Sequence, residues 1–182
     1  SDGNLEKDNN CVIVTTTDLE IVDNVRQLVG LPNHHLTTYQ PVYPHKQVYI
    51  LQICDHAFRS FVEGLGLTPK KALSLTQLNI PDEIFVDFFR GEMDGDGSWS
   101  VVKGWRGVKY LRAKVTSKSG QYLDWLQSTV ERLTGLTGTR SGYGLVYNGK
   151  NAERLGEWLY YAPNLLSLSR KRDIWEGWCQ RK

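Results

Sequence analysis

The sequence has no long apolar run: nothing in its 182 residues approaches the roughly 20 consecutive apolar residues that a membrane-spanning helix needs. It also lacks, at its start, the basic, apolar and small-residue segments of a signal peptide. Cysteine is scarce. Cys11, Cys54 and Cys179 are odd in number and too scattered for a zinc site, which predicts free thiols in a reducing setting, cytoplasmic or, for an organelle-encoded chain, an organellar matrix. Charge of one sign is missing too, since 22 Lys and Arg stand against 20 Asp and Glu, and a net charge of +2 does not announce a nucleic-acid partner by itself. His34, His35, His45 and His56 show no ligand spacing, and no nucleotide-binding loop, nucleophile and base pair, or haem or flavin signature is present.

What is there is a globular composition, 40% hydrophobic, long enough for one compact domain or two small halves. Charge is distributed unevenly. Between Gly97 and Lys118 lie Lys103, Arg106, Lys109, Arg112, Lys114 and Lys118 with no acidic residue, a positive stripe suited to phosphate. Residues 11–17 are β-branched and predict a strand, and Leu19, Val22, Val25, Leu28 and Val29 fall at helical spacing before the stop at Gly30 and Pro32. Strands follow at 36–43 and 48–53, then a helix at 57–65. Gly66 to Ile80 reads as a connector, closed by Pro81 in the first turn of a new helix over 82–93. Strands at 98–103 and 108–116, a helix at 121–133, a strand at 143–147 and a helix at 152–160 complete the pattern. The halves are thus 1–65 and 81–182, the first expected as strand, helix, strand, strand, helix and the second, after its opening helix, as strand, strand, helix, strand, helix.

Echoes support duplication. Val14-Thr15-Thr16-Thr17 matches Val115-Thr116-Ser117-Lys118, Leu28-Val29-Gly30 matches Leu133-Thr134-Gly135, and Pro69 with Leu73-Ser74-Leu75 recurs as Pro163 with Leu166-Ser167-Leu168. The spacing of these echoes is near one hundred residues throughout.

Chemistry concentrates in Phe89-Arg90-Gly91-Glu92-Met93-Asp94-Gly95-Asp96-Gly97, preceded by Ile84, Phe85 and Phe88. Gly91 and Gly95 share one helix face, where the absence of side chains lets a second helix approach closely. Each glycine costs the helix about 1 kcal/mol relative to alanine, so the helix expects a partner. An EF-hand reading of Asp94 and Asp96 fails, because Trp99 stands where the turn glycine belongs and Trp105 where the bidentate glutamate belongs.

The nine residues 89–97 resemble the motif of LAGLIDADG homing endonucleases of the single-chain, two-motif type. That resemblance implies an α/β (α+β) fold of duplicated αββαββα halves, whose antiparallel sheets form a DNA-binding saddle. It implies a divalent metal, Mg2+ or Mn2+, held by the last acidic residue of each motif. Asp96 takes that place here. Ser1-Asp2-Gly3-Asn4 resembles the end of a first motif whose helix has been cut away, which makes Asp2 the second ligand, with the carbonyls of Ser1 and Gly95 assisting. The partner for Gly91 and Gly95 is then a helix upstream of Ser1 or one from another chain; a complete chain would act as a monomer with a pseudo-twofold axis. A basic residue beside each metal is implied, with Lys70 or Lys71 and Arg170 or Lys171 as candidates, and Thr16 or Ser117 would position water.

Along 108–116, Leu111, Ala113 and Val115 alternate with Tyr110, Arg112, Lys114 and Thr116, so one face packs under helices and the other is offered to the major groove. Trp99, Lys103, Trp105, Arg106, Arg140, Tyr143, Asn148 and Lys150 extend that expected DNA surface. In the first half Lys7, Asn9, Asn10, Tyr39, Tyr43, His45 and Lys46 are its less basic counterparts. The unequal halves predict an asymmetric double-stranded DNA target. Three functions stay open: an intron- or intein-encoded endonuclease cutting both strands, a non-catalytic DNA-binding regulator, and an RNA-splicing maturase.

Overall fold

The computed structural model describes residues 3–6, 9–40, 42, 46–69 and 75–181. It divides into two compact units, Ser1–Lys71 and Ala72–Lys182, and the division falls inside the stretch read as a connector. Among the described residues no helix is long and apolar enough to cross a membrane.

The first unit runs β1 (Gly3–Leu5), β2 (Cys11–Thr16), α1 (Leu19–Leu28), β3 (Leu36–Tyr39), β4 (Val48–Cys54) and α2 (His56–Gly64). Its strands form an antiparallel sheet in the order β1-β2-β4-β3. Asp55 caps α2 by accepting a hydrogen bond from Phe58 N at 2.6 Å. A small core of Val22, Leu51 and Ile53 is flanked by Val14, Val25, Val29, Leu36, Tyr49 and Phe58. One expectation is corrected here. Cys11 and Cys54 face each other across β2 and β4 and are joined as a disulfide, of which Cys179 is no part. Scatter along the sequence hid a pairing that the strand register creates, so free thiols cannot be used to argue for a compartment.

The second unit adds a helix in front of the same plan. Pro81 leads into a short 3-10 turn, Asp82–Ile84, and then α3 (Phe85–Gly95), β5 (Gly97–Lys103), β6 (Lys109–Thr116), α4 (Gly120–Thr134), β7 (Thr139–Ser141), β8 (Gly144–Asn148), α5 (Lys150–Leu159) and α6 (Ser169–Cys179). Its sheet order is β5-β6-β8-β7, the counterpart of the first. Sequence reading missed β1 and β7. Each is three residues long, too short to display an alternation, and with them the repeated order becomes strand, strand, helix, strand, strand, helix. The second core is larger and aromatic. Phe85 and Phe89 are fully buried, their rings 6.1 Å apart, with Trp158 within 6.4 Å of both and Trp125 at 5.6 Å from Phe85.

The echoes have physical causes. Thr16 Oγ1 accepts from Asp18 N and Ser117 Oγ accepts from Ser119 N, both at 3.2 Å, so the same hydroxyl-to-backbone turn makes each strand-to-helix corner. The hydroxyls expected to position water therefore shape corners. Gly30 and Gly135, which end α1 and α4, both have φ of +71°, the left-handed conformation that glycine adopts at no cost. The C-terminal stretch forms α6. It packs on α5 and β5: a Cβ at Gly156 would collide with the Trp175 ring, and Trp175 Nε1 and Trp178 Nε1 donate to the Glu153 carbonyl (3.1 Å) and its Oε1 (2.7 Å).

Candidate nucleic-acid interface

The register of the second sheet assigns every residue of β5, β6 and β8 to a face, because directly opposed residues on antiparallel strands share a side. Trp99, Ala113 and Tyr147 share the inner face, as do Val115 and Leu145. All five are buried. Ser98, Ser100 and Val102 share the outer face with Lys114, Arg112 and Tyr110, and Arg112 lies opposite Asn148. Tyr110, Arg112 and Lys114 are half-buried and Thr116 and Asn148 exposed, so the sequence alternation of β6 is the alternation of the structure.

Two expected DNA contacts are corrected. Trp99 belongs to the inner face, is 4% exposed and packs against Tyr160 with ring centroids 6.3 Å apart. Arg140 lies opposite Leu145 on that face, and donates to Gly120 O at 2.9 Å and to Asp124 at 2.5 Å on α4. Both were judged by side-chain type, and only register reveals the side. Of the others, Lys103 is exposed beside Lys109 at the end of the hairpin, Arg106 has a left-handed φ of 58° at its tip, and Trp105 next to it is 86% exposed. Tyr143 is exposed in the β7–β8 turn, Lys150 opens α5, and Lys46 is exposed in the first unit. Tyr43, Lys7 and His45 lie outside the described residues, as do Ser1, Asp2, Lys70 and Lys71.

At the end of α3 the chain turns directly into β5. Gly97 permits this: a Cβ there would lie 2.6 Å from the Met93 Cα and carbonyl oxygen. Asp96 is half-buried; its N donates to Glu92 O at 2.9 Å, and its carbonyl accepts from Thr116 N (3.2 Å) and Thr116 Oγ1 (3.1 Å). A predicted DNA-contact residue thus sits on the predicted metal ligand. Ser117 N donates to Tyr143 O at 3.0 Å, tying the β7–β8 turn to the same corner. Glu92, which the sequence reading did not single out, lies one turn before Asp96, an i, i+4 spacing that was available as a signal. Burial, then the negative charge of Glu92 and then that of Asp96, push the buried Tyr122 phenol well above its ordinary range.

Lys171, a candidate for the basic residue beside the metal, is held at the end of α3. It is 5% exposed, and its Nζ donates to the carbonyls of Met93 (2.9 Å), Asp94 (2.6 Å), Gly95 (3.3 Å) and Gly97 (2.5 Å). The ammonium therefore satisfies carbonyls that end a helix and sits at the negative end of its dipole. Arg170, its neighbour, is exposed. Arg90 is held similarly, donating to Leu159 O and Leu166 O at 3.2 Å and pairing with Asp87 at 2.7 Å.

No protein family and no curated protein matches the sequence. Solved structures do match in shape. The N-terminal LAGLIDADG domain of DUF199/WhiA superposes with a TM-score of 0.54 over 92% of this chain and 79% of its own, at 11% identity. The chain has the LAGLIDADG fold. The LAGLIDADG meganuclease I-AabMI, solved bound to uncleaved DNA, gives a TM-score of 0.53 over 94% of this chain and 80% of its own, at 12% identity. Meganuclease I-SmaMI, bound to uncleavable DNA, gives 0.57 over 93% and 76%, at 15% identity. At such identities the likeness is one of fold.

Within this LAGLIDADG fold, no described residue beyond the adjoining turns of α3 comes within 4 Å of a Cβ built on Gly91 or Gly95. Nor, among the described residues, do three His, Cys, Asp or Glu side chains gather to hold a metal. Asp96 and Glu92 are oxygen donors of the kind Mg2+ or Mn2+ prefers, but the Gly95 carbonyl accepts from Lys171. Among the described residues these donors fit the ion in kind, and Asp2, the second expected ligand, lies outside them.

Proposed function

We propose that this chain binds double-stranded DNA with sequence preference through the outer face of the β5-β6-β8-β7 sheet. The observation that carries the reading is Tyr110, Arg112 and Lys114 standing side by side on that face with Asn148 beside them, while the opposite face is filled by the core. Two solved examples of the fold, I-AabMI and I-SmaMI, hold DNA. An arginine and a lysine on a sheet surface supply phosphate and base-edge donors, and polar neighbours add directional contacts.

The reaction we propose for the acidic end of α3 is hydrolysis of DNA phosphodiester bonds with Mg2+ or Mn2+, Asp96 contributing its carboxylate. Support comes from the nine-residue motif and from Asp96 lying next to Thr116, at the edge of the outer face. A second reading, DNA binding without cleavage, is favoured by Lys171, whose ammonium already occupies carbonyls beside Asp96. The test is selection from a randomised duplex library, then incubation of the enriched duplex with Mg2+ and either the chain or its Asp96→Asn variant. Cuts made by the chain and lost in Asp96→Asn support the nuclease. Enrichment without cuts favours the non-catalytic reading, and no enrichment at all overturns DNA binding. Retention of intron RNA in place of duplex, insensitive to Asp96→Asn, would point to a maturase.

A further inference from the structure

We infer that Tyr110 and Asn148 are positioning residues for Arg112, and that the three act as one reader selecting guanine at a single position of the duplex. The inference rests on the DNA-binding reading above and deepens it. Arg112 lies in the middle of β6 on the outer face, opposite Ser100 on one side and Asn148 on the other. Its Nε donates to Asn148 Oδ1 at 2.9 Å, and its Nη2 donates to the Tyr110 hydroxyl oxygen at 3.0 Å. The guanidinium carbon also lies 5.7 Å from the centroid of the Tyr110 ring. Asn148 ends β8, and the next residue, Gly149, donates its N–H to Leu111 O at 2.8 Å, which pins that strand end to β6 beside Arg112.

Chemistry follows from the count of donors. A guanidinium carries five N–H groups and no acceptor, and the bonds to Asn148 and Tyr110 use two of them. Three donors are left on the two Nη atoms, and a parallel pair of donors matches the O6 and N7 acceptors of guanine in the major groove. Adenine offers N7 with an N6 donor at the same place, and a group made only of donors cannot satisfy that donor. The same fixed edge therefore accepts guanine and rejects adenine. Because the arginine is held in one rotamer before DNA arrives, its ordering is not charged to binding, and discrimination is sharpened at the position it faces. Asn148 and Tyr110, expected from sequence to touch DNA independently, act through Arg112.

Library selection with the full chain reads this directly. The chain should enrich a duplex with a guanine whose preference falls about tenfold or more in Arg112→Ala, and Arg112→Lys should not restore it. Asn148→Ala and Tyr110→Phe should weaken preference at that same base pair and leave other positions and the melting temperature unchanged, a pattern that a merely structural role would not give. Tyr110→Phe removes only a hydroxyl, so it keeps the test valid should Asn148→Ala loosen the end of β8. If Arg112→Ala leaves every base preference intact, or if Asn148→Ala and Tyr110→Phe alter positions other than Arg112's, the inference fails while DNA binding stands. If the chain enriches no sequence, both fall.

Discussion

The two sheets share a strand order, a strand-to-helix corner and a glycine that ends the following helix, yet their outer faces differ in chemistry. In the second unit that face carries Tyr110, Arg112 and Lys114. In the first, the register places Asn4, Cys11, Ile13, Thr15, Thr37, Tyr39, Val48, Ile50, Gln52 and Cys54 there, so among the described strand residues that face carries no lysine or arginine. Their interiors differ as well. The second unit is built on stacked aromatic rings and on helices α3 and α6, while the first rests on Val22, Leu51 and Ile53, with a disulfide joining β2 to β4 on the opposite face of the sheet. Corners and helix stops fix topology because few residues satisfy their backbone geometry, whereas outer-face side chains bear little packing and are free to diverge. A shared plan thus yields one basic and one neutral surface.

The comparison can be broken most severely at Phe89. Truncation to alanine removes a ring that is fully buried between Phe85 and Trp158, and should cost the second unit about 3–5 kcal/mol. Chemical denaturation followed by hydrogen exchange should show the loss there; an equal loss of protection in the first sheet would mean that the units do not fold separately.

Alkali should also single out the second unit. Burial raises the phenols of Tyr122, Tyr147 and Tyr160, with nearby Glu92, Glu131 and Asp94 respectively as the leading negative charges. A group whose folded pKa is raised contributes stability that is complete below its unfolded pKa near 10 and is lost as pH climbs toward the folded value. At pH 11 each should cost about 1.4 kcal/mol, roughly 4 kcal/mol together. Tyrosinate absorbance against pH measures it; all six phenols of this unit ionising near pH 10 with the fold intact would contradict it.

The disulfide sharpens the contrast from the other side. It closes a segment with a sequence separation of 43, so reduction or Cys54→Ala should cost the first unit roughly 2–4 kcal/mol and leave the second unchanged. Melting followed with and without reductant tests this, and equal curves would show that the pairing bears no load. Smallest of all is the surface pair of Asp82 and Arg132, joined by hydrogen bonds of 2.5 and 2.7 Å. Hydrogen bonding to Arg132 holds the Asp82 carboxyl below its usual range, so its contribution exists above that range and disappears on acidification. Because the pair lies on the surface, Asp82→Asn should leave the melting temperature of the second unit where it was.

Much of the fold was legible before any coordinates. Apolar residues at helical spacing before a glycine located α1, α2 and α4 within two residues of where they lie, and the alternation of 108–116 sorted β6 into an inner and an outer face. The nine residues around Asp96 pointed to a fold that solved structures share. Less of the candidate site was legible. Trp99 and Arg140 have side chains suited to DNA, but one is core and the other pairs with Asp124. Glu92 lies at a telling distance from Asp96 and passed unnoticed.

The sequence by itself determined where most strands and helices lie, that the plan is repeated, and that basic side chains alternate with apolar ones along β6, because these depend on neighbours a few residues away. Tertiary structure alone decided which cysteines pair, which aromatic and basic residues point inward, that Asn148 reaches Arg112 across 36 residues, and that Lys171 closes the end of α3 from a helix 77 residues on from Asp94. Those choices belong to strand register and helix docking, where residues far apart in the chain meet, and no local pattern records which of the many chemically equal partners will be brought within reach.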